Sequence, residues 1–79
     1  MELVYVVVSF NGPAMATTDF EQAFTKMKED IDGCSVMVYR AGIWMLDFYF
    51  DKQYNSFCAD SDSDADKKVI KYILLKLSE

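Results

Sequence analysis

The sequence predicts an α+β fold: a single β-α-β-β-α domain over residues 1–79, with a three-stranded sheet in the order 1-3-2 and two helices on one face. Three observations carry this. The run Ile43 to Phe50 is the most apolar in the chain, has strand length, and is enriched in aromatics (Trp44, Phe48, Tyr49, Phe50), which suits a pleated, buried surface. Apolar residues recur at helical spacing on either side of it, from Phe20 to Ile31 and from Val69 to Leu77. A helix also separates the first strand from a central hairpin, so right-handed crossover puts both helices on one face, and the apolar run takes the least exposed, middle place in the sheet.

Taken in order, Leu3 to Phe10 is β-branched and aromatic and ends at Asn11-Gly12-Pro13, which stops a strand and starts a loop over Pro13 to Thr17. Its even positions Val4, Val6, Val8 and Phe10 are uniformly apolar, so they are expected to face the core. Thr18-Asp19-Phe20-Glu21 reads as a capping box with Thr18 as the cap. The helix it starts presents Phe20, Ala23, Phe24, Met27 and Ile31 on one side, and Asp32-Gly33 is expected to end it with a left-handed glycine.

Ser35 to Tyr39 alternates and turns back through Arg40-Ala41-Gly42 into the apolar run. A two-residue turn at Ala41-Gly42 would set Val36 and Val38 on the face of Met45 and Asp47. A three-residue loop with Gly42 in a bulge sets them beside Trp44, Leu46 and Phe48, and is preferred. Residues 51–58 read as a mixed segment in which Tyr54 and Phe57 fold back over the core edge. The acidic stretch Ala59 to Asp66 then supplies carboxylates at the positive end of a C-terminal helix. Val69, Ile70, Ile73, Leu74 and Leu77 form the buried stripe of that helix, while Leu75 points away.

The chain has 79 residues, 52% of them hydrophobic, and a net charge of −5. It is apolar enough to fold, yet a chain this short buries only about 60% of its unfolded surface. The acidity repels phosphate backbones, so direct nucleic-acid binding is not expected. With no histidine, the two cysteines, Cys34 and Cys58, lack both zinc-ligand company and an activating base; free thiols in a cytoplasmic protein are the expectation. The apolar opening run follows Glu2 and is too short to span a membrane. No catalytic, metal or cofactor motif is found, so no enzyme activity and no cofactor are expected.

Two surfaces are candidates for function. The preferred register gathers Tyr5, Met37, Tyr39, Ile43, Met45 and Tyr49 on the side opposite the helices, and tyrosine and methionine are typical of adaptable contact surfaces. Either a foreign protein or a second copy of the chain, in a homodimer, would cover it. The other surface is Asp60, Asp62, Asp64 and Asp66. Their alternation suggests a calcium loop, but Ala65 replaces its glycine and Lys71 its closing glutamate. They could instead imitate phosphates and block a nucleic-acid-binding protein. Asp47 stands among apolar neighbours without a second acid beside it.

The opening Met1-Glu2-Leu3-Val4, the following Val6-Val7, and Thr25-Lys26 with Met27-Lys28-Glu29-Asp30 resemble small early proteins of T-even-like phages, of the Dmd antitoxin type, over roughly the first third of the chain. The resemblance implies a cytoplasmic, phage-encoded inhibitor that binds a host protein, such as a toxin, a nuclease or another defence effector. It carries over no catalytic residue.

Overall fold

A computed structural model describes residues 2–31, 33–61 and 66–78. Among them the elements follow in the order β1 (Val4–Ser9), β2 (Gly12–Thr17), α1 (Phe20–Lys28), β3 (Ser35–Arg40), β4 (Ile43–Asp51), β5 (Ser56–Ser61) and α2 (Lys67–Leu77). The strands form one antiparallel sheet of five, ordered β2-β1-β3-β4-β5. The fold is α+β with both helices on one face, but the three-stranded sheet of order 1-3-2 is overturned. β3 is the central strand, and the apolar run lies between β3 and β5.

Two strands were hidden by their turn-like residues. Gly12-Pro13, read as a stop, instead begins β2: Gly12 takes φ +106° after the Phe10-Asn11 tip, and Pro13, which has no N–H to donate, is tolerated on an edge strand. β1 runs antiparallel to both β2 and β3, so those two strands point the same way on either side of it. α1 is the connection that carries the chain across β1, and it packs on β1, β2 and β3. At the other edge, Asp60 and Ser61, read as helix-capping residues, belong to β5. A four-residue tip precedes it, with Asn55 at φ 51° and the Gln53 amide donating to Asp51 Oδ1 at 2.9 Å. α2 then packs back on β4 and β5.

The facing of β1 is the reverse of the expectation. Leu3, Tyr5 and Val7 are buried, whereas Val4, Val6 and Val8 look outward and Phe10 sits in the turn at 94% exposure. β1 is apolar on both faces and cannot set its own orientation; its pairing with β3 does, by placing Tyr5 opposite Val38 and Val7 opposite Val36.

The β3–β4 hairpin resolves the register question in an unexpected way. Its turn has the two residues Ala41 and Gly42, both left-handed (φ 53° and 78°), so the three-residue loop is not formed. Arg40 pairs with Ile43 and Tyr39 with Trp44, but Val38 then pairs with Leu46, leaving Met45 as an extra residue. This bulge shifts the rest of β4 by one place, so Leu46 and Phe48 join Val36 and Val38 in the core while Trp44 turns outward.

Helix positions are correspondingly adjusted. Asp19, not Thr18, caps α1, accepting the Glu21 amide at 2.9 Å, while Thr17 Oγ1 accepts the Asp19 amide at 3.1 Å. α1 ends at Lys28 with Glu29 as its C-cap, before Gly33; Asp32 lies outside the described residues. Phe20, Ala23 and Met27 are buried as expected, and Phe20 contacts the rings of Tyr5, Phe24 and Phe48 at 5.4–5.7 Å. Phe57 points inward against Phe24 and Phe50, whereas Tyr54 is exposed at the β4–β5 tip and covers nothing. In α2, Val69 and Ile73 are buried, and Leu74, expected in the stripe, is exposed beside Leu75. No described helix is long and apolar enough to cross a membrane.

Candidate functional site

The sheet face turned away from both helices is built from alternate residues of the strands. Cross-strand pairing sets Val4 beside Tyr39 and Tyr39 beside Trp44 in one row, and Val6 beside Met37, Asp47 and Asp60 in the next. Val8, Ser35, Tyr49 and Cys58 make a third. The rows run from an aliphatic side on β1 through a methionine and aromatic centre to an acidic side on β4 and β5. All of these side chains are half-buried or exposed, and no helix lies over them.

Polar contacts hold the acidic side in place. Trp44 Nε1–H donates to Asp47 Oδ1 at 2.6 Å, and the Tyr49 hydroxyl donates to Asp60 Oδ2 at 3.2 Å. The Asp60 hydrogen bond, reinforced by its negative charge, keeps the Tyr49 hydroxyl protonated above its ordinary pKa. Asp47 and Asp60 are themselves direct cross-strand neighbours. The Tyr39 hydroxyl donates to the Met37 sulfur, a weak acceptor, at 4.0 Å.

Of the six residues expected on this face, Met37, Tyr39 and Tyr49 are there. Tyr5 is on the opposite face, 3% exposed among core residues, and burial pushes its hydroxyl pKa up to about 12, with Tyr72 and Asp19 adding to the shift. Met45 is the bulged residue and is 7% exposed within the core cluster. Ile43 is exposed, but at the hairpin tip opposite Arg40. Trp44 was passed over because the bulge at Met45 leaves no sequence signature, and Asp47 because its acidic neighbour, Asp60, lies in a strand read as a helix start. β5 did leave one: Phe57 and Ala59 alternate with Ser56, Cys58 and Asp60 at the strand period.

The acidic stretch does not act as one helix start. Asp60 lies in β5 on the outer face, Asp62 and Asp64 fall outside the described residues, and Asp66 alone caps α2. Asp66 accepts the Lys68 amide on Oδ1 at 2.8 Å and Arg40 Nη1 on Oδ2 at 2.7 Å, tying the start of α2 to the end of β3. These two contacts, with Arg40 foremost, hold its carboxyl below the usual pKa.

Both thiols are free and half-buried. Burial pushes the Cys34 thiol pKa up, and Asp30 raises it further against the opposing effect of Lys26, which disfavours the thiolate. Cys58, also free, directs its Sγ toward the Ser56 carbonyl at 3.9 Å. No group of three metal-ligating side chains occurs among the described residues. A second apolar surface lies on α2, where Ile70, Leu74 and Leu75 line a shallow groove beside Lys67 and Lys71. No protein-family model, curated protein or solved structure matches the chain.

Proposed function

We propose that the chain is a non-enzymatic protein-binding module that docks its partner on the outer face of the sheet. The partner class it carries is the one the phage resemblance implies, a host protein inhibited by being covered. The single observation that supports this reading is an uncovered face with Val4, Val6 and Val8 flanking Met37, Tyr39, Trp44 and Tyr49, while both helices pack on the other side. Aromatic and methionine side chains supply large contact area with adaptable shape, and a face of this composition is costly to leave in water.

Affinity capture from a bacterial lysate tests it, using the wild type, the double variant Met37→Ser/Tyr39→Ser, and Leu74→Ser/Leu75→Ser as a control on the α2 groove. The expected result is a specific partner retained by the wild type and the α2 variant and lost by the sheet-face variant, with unchanged far-ultraviolet circular dichroism in all three. A partner retained by the sheet-face variant and lost by the α2 variant would move the docking site to the helix.

A further inference from the structure

We infer that the occupant of the outer face is a protein segment presenting an arginine or lysine side chain among apolar ones, seated on the Asp47 and Asp60 carboxylates; this rests on the docking reading above. Like charges directly opposite each other across two strands repel, and here the pair stands beside Met37, Trp44 and Tyr49 on a face that also carries the valines of β1. The donors that orient the two carboxylates, the Trp44 indole and the Tyr49 hydroxyl, are neutral. The ion pairs among the described residues are Lys26 with Glu29 and Arg40 with Asp66, so among those residues neither Asp47 nor Asp60 has a cationic partner. The charge pair is held in place and left for something outside the chain to neutralise.

What neutralises it is not the same face of a second copy. Arg40 is the one basic residue in the five strands, and it is taken by Asp66. Twofold pairing of the face would therefore press the carboxylates against each other or against the aliphatic side of β1, and no cation would repay their desolvation. A basic side chain from a different surface fits both halves of the site: its charge meets the two carboxylates, its stem or guanidinium plane lies against Trp44 and Tyr49, and its apolar neighbours meet Met37 and the valines of β1.

The test is selection of binders from a displayed library of random linear peptides on the immobilised full chain, with the wild type and Asp47→Asn/Asp60→Asn compared in parallel. Asparagine keeps the acceptor oxygens and removes the repulsion, so the variant should fold, and the Trp44 indole resonance reports that it has. The expected result is that peptides shifting the Trp44 indole signal carry arginine or lysine flanked by apolar residues. They should bind the double variant roughly tenfold more weakly or worse, and lose affinity as salt rises. Peptides that bind this face without a basic residue, or that bind the double variant equally well, would overturn the inference while leaving the face as the docking site. Peptides confined to the α2 groove would overturn both. Salt-sensitive self-association of the chain, abolished by Lys67→Glu/Lys71→Glu on α2, would show the occupant to be a second copy bound head to tail, and would also overturn it.

Discussion

The two faces of the sheet are made by the same strands and follow opposite rules. The inner face, formed by Leu3, Tyr5, Val7, Val36, Val38, Leu46 and Phe48 under α1 and α2, is filled by volume: most of these side chains are fully buried, and Tyr5 brings the one hydroxyl. The outer face carries donors, carboxylates and a thiol in fixed cross-strand positions, with neither helix packed over them. The contrast shows that apolarity alone does not identify the core of a small sheet. β1 presents valines to both sides, and the side that pairs with Val36 and Val38 beneath the helices becomes the interior.

The sharpest way to break this comparison is to truncate one large side chain on each face. Phe48→Ala should cost about 3–5 kcal/mol through lost burial and a cavity beneath Phe20, a large share of the stability of so short a chain. Met37→Ala, on the outer face of the central strand, should cost under about 1 kcal/mol. Urea unfolding of the two variants measures both, and equal losses would mean that the outer face is structural.

A smaller effect concerns the hydroxyl that Tyr5 brings into the interior. Its folded pKa, about 12, lies above the ordinary value of 10.0, so folding holds a proton that the unfolded chain releases. The contribution is fully present below pH 10 and is lost as pH rises toward 12. Thermal melts across that range should show the wild type losing stability more steeply than Tyr5→Phe; parallel curves would mean that the hydroxyl titrates freely in the folded state.

The smallest expected effect is at Asp66, which joins β3 to α2 at the border of the two faces. Its pKa is lowered from 3.8, so its charge stabilises the fold at pH values above that point, and the contribution is lost as pH falls below it through the folded value. Asp66→Asn keeps a good N-cap but gives up the charge on Arg40. The variant should be slightly less stable at neutral pH and less sensitive to acid than the wild type, as read from melting temperature against pH.

Legibility tracked how local each signal is. The α1 stripe of Phe20, Ala23 and Met27 could be read because helical periodicity is a property of a short segment. Glu21 pointed to a cap nearby, though Asp19 won over Thr18 because Thr17 holds the Asp19 amide. β2 and β5 were missed because glycine, proline, asparagine and aspartate are read as breakers, while at a sheet edge those same residues begin or blunt a strand. Half of the expected face, Met37, Tyr39 and Tyr49, was found by period-two alternation. Ile43 and Met45 failed on a single extra residue, Met45, since every position on one side of a bulge exchanges its face relative to the other, and Tyr5 failed because β1 is apolar on both sides.

By itself the sequence determined that the chain folds as an α+β domain, where the helices lie, which residues alternate in β3, and that Tyr and Met gather on an outward surface, because period, composition and capping act over a few neighbours. The partner of each strand, the side of β1 that is buried, and the meeting of Asp47 with Asp60 were decided only in the tertiary structure. These depend on pairings between segments far apart in the chain, where a strand apolar on both sides is satisfied either way until its neighbours choose for it.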